Sequence, residues 1–151
     1  MNKPLLYPLL VGEDNDEDFA VLKRLLTDMA LPNPIYRCED GEEVLDFMYR
    51  EGDYREPELA PRPGVILLDL NLPGTDGREV LAQVKQDANL QNIPVVIFTT
   101  SKNPKDIEFC YRHGANGYLI KPMDFTQLQT TIQMFVGFWL SANVPPQISA
   151  I

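Results

Sequence analysis

The sequence has few of the residues that build disulfide frameworks or histidine-based metal centres. Its 151 residues include two cysteines, Cys38 and Cys110, and one histidine, His113. No Cys/His spacing matches a metal site, so we expect both cysteines to be buried free thiols in a reducing compartment. We expect His113 to lie on the surface, at the end of a helix.

Long apolar runs are also absent. The apolar stretch at 134–140 is far shorter than the ~20 residues that cross a bilayer. The N-terminal segment 1–8 contains two prolines and lacks the apolar region of a signal peptide. These features predict a cytoplasmic protein without a membrane partner.

Positive charge is scarce as well. The chain has 13 Lys and Arg against 22 Asp and Glu, a net charge of −9 at pH 7. Such a chain has no general attraction for nucleic acids or anionic lipids, so we expect no direct nucleic-acid partner. Apolar residues make up 44%, which is enough for a core. We predict a single domain over 1–151, with its core at about 8–140 and a tail at 141–151.

Short continuous apolar runs alternate with stretches of helical period along the chain. The runs lie at 9–11, 35–38, 65–68, 95–98 and 118–120. Continuous runs are typical of strands covered on both faces, and the alternation predicts βαβ units. The fold class is therefore α/β, a three-layer sandwich with a central five-stranded parallel sheet. The last predicted helix covers 124–140, and its apolar stripe is Phe125, Leu128, Ile132, Phe135, Val136 and Trp139. We expect the proline-containing segment 51–63 to be a surface loop within the domain.

Polar residues follow four of the five runs. Glu13 and Asp14 follow the first run, Asp69 the third, Thr99 ends the fourth and Lys121 follows the fifth. Because ligands bind at the carboxyl ends of strands in open parallel sheets, we expect these side chains to share one edge.

This set of groups favours a phosphoryl group beside a divalent cation. Clustered carboxylates repel one another unless a cation lies among them, and Mg2+ prefers oxygen ligands. A hydroxyl and an ammonium suit phosphate oxygens. Asp69 is the candidate acceptor because a carboxylate can form an acyl phosphate. The alternative for Glu13 and Asp14 is that they cap the first helix.

With these residues in view, the chain resembles the receiver domains of two-component response regulators. The resemblance rests on LLVGEDN at 9–15, VILLDLNLPGTDG at 65–77, PVVIFTTS at 94–101 and GANGYLIKP at 114–122. It implies a flavodoxin-like (βα)5 fold with strand order 2-1-3-4-5. Within the family, the chain resembles the small stand-alone regulators of cyanobacterial phytochromes. The resemblance lies in the sequence of 69–81, the loop at 51–63 and the aromatic extension at 135–146.

The resemblance implies a phosphoacceptor rather than an enzyme. Asp69 would take its phosphoryl group from a sensor histidine kinase, here expected to be a phytochrome. The Mg2+ ligands would be Glu13, Asp14, Asp69 and the backbone carbonyl of Asn71. One departure is Gly12, which stands where the family usually has an apolar strand residue. We expect it to loosen the strand end beside the acidic pair.

The other matching positions imply a switch. The hydroxyl of Thr99 and the ammonium of Lys121 would bind the phosphoryl oxygens, and Tyr118 would turn inward when Thr99 moves. With no second domain expected, the signal would pass through contact with an unknown downstream protein.

The last helix predicts a homodimer. Met134 and Phe138 fall outside the core stripe and Trp139 lies near its end, so we expect these side chains to form an interface with the sheet edge near Tyr118. The alternative is that the loop at 51–63 covers them.

Two other functions are alternatives to that of a phosphoacceptor. A degenerate receiver would serve only as an interaction module, which the presence of all the acceptor-site residue types argues against. An aspartyl-nucleophile phosphatase would need an acid two residues beyond Asp69. That position is Asn71, which cannot donate the proton.

Overall fold

Five parallel strands form one sheet at the centre of the computed structural model, which describes residues 6–146. Their order is β2-β1-β3-β4-β5, with neighbours in parallel register. The strands are β1 Leu9–Gly12, β2 Ile35–Cys38, β3 Val65–Leu68, β4 Val95–Thr99 and β5 Gly117–Ile120. The flavodoxin-like α/β fold and its strand order are thus confirmed.

Five helices connect and flank the strands. They are α1 Asp16–Asp28, α2 Gly41–Tyr49, α3 Gly77–Gln86, α4 Pro104–Arg112 and α5 Phe125–Gly137. Each begins after an Asn or Asp whose side chain accepts a hydrogen bond from a first-turn amide. For α1 this residue is Asn15, whose Oδ1 accepts from the Asp18 amide. The alternative in which Glu13 or Asp14 caps α1 is therefore wrong.

The C-terminal helix differs from its predicted extent. α5 ends at Gly137 and is followed by a π-helical turn over Phe138–Ala142. The predicted tail at 141–151 therefore begins inside this turn, and its residues 147–151 lie outside the described residues. Among residues 6–146, no helix is long and apolar enough to cross a membrane.

Side chains of alternate strand positions enter two separate core layers. On one face the sheet packs against α2, α3 and α4, through residues such as Leu10, Ile66, Leu68, Ile97, Phe47, Leu81 and Cys110. On the other face it packs against α1 and α5, through Leu9, Val11, Leu67, Phe98, Leu26, Ile132 and Phe135 among others. Burial on both faces explains why the central strands β1, β3 and β4 are continuous apolar runs, whereas the edge strands β2 and β5 are only partly buried. Cys38 and Cys110 are buried free thiols, as expected.

The segment 51–63 is mostly exposed but is anchored to α2. It contains two short 3-10 helices, Gly52–Tyr54 and Pro57–Leu59. The Tyr54 ring lies 5.1 Å from that of Phe47, and Ala60 is fully buried. Because these contacts belong to the α2 side of the sheet, the segment leaves Met134 of α5 and Phe138 of the following turn exposed.

Two glycines allow the loops at the carboxyl edge of the sheet to pack closely. A Cβ atom at Gly77 would lie 2.2 Å from the carbonyl oxygen of Asp69, and one at Gly41 would lie 1.7 Å from that of Thr75. Gly12 differs from its expected role: it lies within β1, and the Asp69 amide donates to its carbonyl. The Leu68 side chain fills the space beside it, so the strand end is packed.

We expect Gly77→Ala to destabilise the fold by about 3 kcal/mol, because the new methyl group meets backbone that cannot yield. Gly137→Ala is the matched control, since nothing lies within 4 Å of a Cβ atom there. That change should be neutral or stabilising by up to ~1 kcal/mol. Urea unfolding of both variants measures the difference, and equal stabilities would contradict the packing described for Gly77.

Candidate functional site

Three carboxylates meet at the carboxyl edge of the sheet. Glu13 and Asp14 follow β1 and Asp69 follows β3, its neighbour in the sheet. One oxygen of each lies within 4.8 Å of the others, close enough to share a metal ion. Glu13 and Asp69 are buried, whereas Asp14 is exposed, so the cluster opens to solvent on one side. Within residues 6–146 this is the one acidic group with such geometry.

Lys121 supplies the positive charge of the site. It follows β5, and its side chain is only 10% exposed. Its Nζ donates to Asp69 Oδ2 at 2.7 Å, to Glu13 Oε1 and to Asp18 Oδ2 at 3.3 Å. The residues predicted to converge from β1, β3 and β5 therefore do so. Asp18, in the first turn of α1, is an additional partner that the sequence pattern did not indicate.

Burial and charge oppose each other at this ion pair. Burial is the largest influence on Lys121 and disfavours its charged form, but the hydrogen bonds and charges of Asp69 and Glu13 together raise its pKa above the usual value. Burial also dominates at Glu13 and raises the pKa of that carboxyl, while Lys121 acts to lower it. Burying the carboxylates of Glu13 and Asp69 therefore costs free energy, and the Lys121 ammonium offsets that cost.

Asn71 and Thr99 lie at the same edge. The Asn71 amide donates to Asp69 Oδ1 at 3.1 Å, which orients the carboxylate. Thr99 is fully buried at the end of β4, between β3 and β5 in the sheet. Its Oγ1 accepts a long hydrogen bond of 3.4 Å from the Ser101 amide. The hydroxyl is thus part of the turn that leads from β4 towards α4.

Tyr118 belongs to a polar network that sequence reasoning did not find. Its hydroxyl donates to the carbonyl of Ser101 at 2.9 Å. The Ser101 hydroxyl donates to Asp106 Oδ2 at 2.6 Å, and Arg78 Nε donates to Asp106 Oδ1 at 2.9 Å. The hydrogen bonds from Arg78 and Ser101 lower the pKa of Asp106. The network joins β5, the β4–α4 turn, α4 and α3, which are distant in the sequence.

An apolar groove of about 400 Å³ opens beside the site. Its lining includes Val21 of α1, Phe98 of β4 and Phe125 of α5, with Asp18 and Lys121 also lining it. Phe125 is 56% exposed, so its predicted place in the buried stripe of the last helix is wrong. At the first turn of α5 the ring lines this groove instead of entering the core.

The other residues singled out lie away from the site. Met134 is 69% and Phe138 52% exposed, whereas Trp139 is half-buried against the α1–α5 core layer. His113 follows the last residue of α4, as predicted, but it is half-buried and its ring stacks on Phe109 at 4.0 Å.

Comparison with known proteins gives consistent similarities. The family model for the response regulator receiver domain matches residues 9–133 of this chain. Response regulator Rcp1 of Synechocystis sp. is 38% identical over 91% of this chain and 92% of its own length. The crystal structure of the phosphorylated cyanobacterial phytochrome response regulator RcpA has a TM-score of 0.88 and 37% identity, covering 95% of this chain and all of that one. The Mn2+-bound form of Rcp1 has a TM-score of 0.86 and 37% identity over 93% of this chain and 99% of that one.

Replacing Lys121 by Met should destabilise the fold by about 3 kcal/mol at pH 7.5, because two buried carboxylates lose their countercharge. The loss should shrink as the pH falls. Burial raises the pKa of Glu13 and Lys121 acts to lower it, so we expect the pKa of Glu13 to rise further in the variant. The folded variant then takes up a proton more readily than the unfolded one, and the loss of stability becomes smaller on acidification. Added MgCl2 should also restore stability.

Urea unfolding at pH 7.5 and pH 5, with and without MgCl2, measures these effects. Lys102→Met removes the same charge from an exposed position and is the control. A loss at Lys121 that is unchanged by both pH and Mg2+ would contradict the charge balance described here.

Proposed function

Since the chain belongs to the family of response regulator receiver domains, we propose that it is a single-domain response regulator that accepts a phosphoryl group on Asp69. The observation that carries this proposal is the convergence of Glu13, Asp14, Asp69 and Lys121 at one sheet edge. Asp69 lies at its centre, with one carboxylate oxygen held by Lys121 and the other by the Asn71 amide.

The donor set suits Mg2+. Carboxylate oxygens are the hard ligands that this ion prefers, and the cluster is open at Asp14, where water can complete the coordination. Glu13, Asp14, Asp69 and the backbone carbonyl of Asn71 are the proposed ligands. When bound, the ion supplies positive charge to the transferring phosphoryl oxygens. The Mn2+-bound form of Rcp1, at 37% identity, supports a divalent-cation site in this chain.

Asp69 acts as the nucleophile in the proposed transfer. One carboxylate oxygen attacks the phosphorus of a phosphohistidine on the donor kinase, and the phosphorus–nitrogen bond breaks as its electron pair returns to the imidazole. Lys121 and the hydroxyl of Thr99 hold the phosphoryl oxygens, so the protein contributes position and charge. Water later hydrolyses the acyl phosphate and regenerates Asp69. The chain is therefore a phosphoacceptor rather than a classical enzyme.

We propose that Thr99 and Tyr118 transmit the change. A phosphoryl group on Asp69 offers acceptor oxygens that draw the Thr99 hydroxyl away from the Ser101 amide. Because the Tyr118 hydroxyl donates to the carbonyl of Ser101, movement of this turn frees the ring to turn inward. The β4–α4 surface then differs between the two states.

The proposed donor is a sensor histidine kinase of the phytochrome type. Similarity over more than nine-tenths of the chain to Rcp1 and to the phytochrome response regulator RcpA supports this assignment. The proposed output is contact with a downstream protein.

The proposed phosphorylation is tested with acetyl phosphate and MgCl2, followed by intact mass measurement. The parent chain should gain the mass of one phosphoryl group, and Asp69→Asn should gain none. Asp14→Asn should be phosphorylated at least tenfold more slowly, because a cation ligand is lost. Asp28→Asn, an exposed acid at the end of α1, is the control and should match the parent. Equal labelling of the parent and Asp69→Asn would show that another residue is the acceptor.

We also propose that the chain forms a homodimer through α5 and the turn that follows it. Met134 and Phe138 are large apolar side chains on the surface, and the Phe138 ring packs edge-on against Trp139 at 4.8 Å. Such adjacent aromatic and Met side chains are typical of protein interfaces.

Phe138→Glu should convert the dimer into a monomer in size-exclusion chromatography with light scattering. Tyr111→Glu is the control, because Tyr111 of α4 is similarly exposed, at 53% against 52% for Phe138. A monomeric parent, or a dimer that withstands Phe138→Glu, would contradict the proposed interface.

A further inference from the structure

Arg37 contacts the segment that carries two of the proposed cation ligands. It lies on the edge strand β2, paired in register with Val11 of β1. Its Nε donates to the carbonyl oxygen of Glu13 at 3.0 Å, and the Glu13 amide donates to the carbonyl of Cys38 at 3.0 Å. Both backbone polar groups of Glu13 are therefore held from β2.

The rest of the guanidinium group reaches the start of α1. One terminal nitrogen lies 2.8 Å from Asp16 Oδ1, and the group lies over the Phe19 ring at 4.7 Å from its centroid. The other terminal nitrogen lies 3.4 Å from Glu39. The Arg37 side chain is only 19% exposed. It thus joins the two ends of the segment 13–16, and Asp14 lies between its points of attachment.

We propose that Arg37 is a positioning residue for the cation site. By holding the Glu13 carbonyl on one side of Asp14 and the Asp16 carboxylate on the other, it keeps the Glu13 and Asp14 carboxylates within reach of Asp69. This inference rests on the proposed function, because it concerns the same site. It also gives a role to a partly buried arginine that the sequence patterns did not single out.

The charge and the contacts of Arg37 predict opposite effects on cation binding. By charge alone a guanidinium near the site repels a divalent ion, so its removal would strengthen binding. If Arg37 instead holds the ligand segment in place, its removal weakens binding, as the loss of groups that orient metal ligands commonly does. The sign of the change therefore distinguishes the two roles.

The test is the titration of Mn2+ alone into the full chain and its variants by isothermal calorimetry. Arg37→Met should bind Mn2+ roughly tenfold more weakly than the parent. Arg37→Lys keeps the charge but lacks the planar fork that reaches Glu13 and Asp16 together, so it should also bind more weakly, by about threefold. Arg24→Met, which removes an exposed charge from α1, should bind at least as tightly as the parent.

Urea unfolding of each variant fixes conditions in which the chain is folded, so that a change in affinity is separate from a change in stability. If Arg37→Met does not fold, Arg37→Lys decides. Parent-like or tighter Mn2+ binding by the folded Arg37 variants would overturn the positioning role while leaving the proposed function intact. A parent chain that binds no Mn2+ would instead overturn the proposed cation site, and this inference with it.

Discussion

The ion pairs of Lys121 with Glu13 and Asp69 are the interaction on which the candidate site depends. Two carboxylates lie buried at the ends of neighbouring strands, an arrangement that costs free energy wherever it is left unbalanced. The ammonium from a third strand supplies the balance, and Asp14 leaves the group open to solvent. Such a site can exchange its partners. An incoming cation can replace the Lys121 ammonium at the carboxylates, and the oxygens of an incoming phosphoryl group can replace the carboxylates at the ammonium.

Much of the fold could be predicted because the central strands β1, β3 and β4 are covered on both faces. That constraint makes these three strands continuous apolar runs, and it separates them from amphipathic helices without knowledge of any contact. The shared edge followed from topology as well, since parallel strands bring the residues after them to one side of the sheet. Glu13, Asp69 and Lys121 were predicted to be neighbours for that reason alone.

What the sequence could not provide were contacts between side chains of separate elements. Asp18, Arg37, and the Arg78–Asp106 pair reach the site or its surroundings through particular side-chain conformations. No spacing pattern encodes such conformations. Phe125 shows the converse error: it fits the helical period of the buried stripe, yet it lies in the first turn of α5, where it lines an open groove. Periodicity identifies a face of a helix but not how far along the helix that face is covered.

The close approach at Gly77 has a consequence for how a signal leaves the site. The start of α3 lies directly against the main chain of Asp69, and the Gly77 amide donates to the carbonyl of Leu70. The backbone that carries Asp69, the proposed acceptor, is therefore packed closely against the start of α3 and has little room to move. We therefore expect a change at Asp69 to be transmitted one strand away, at the turn after β4, where the Ser101 amide makes a long hydrogen bond of 3.4 Å to Thr99 Oγ1. In the proposed mechanism the Asp69 backbone and α3 stay in place, and the turn after β4 is the part that moves.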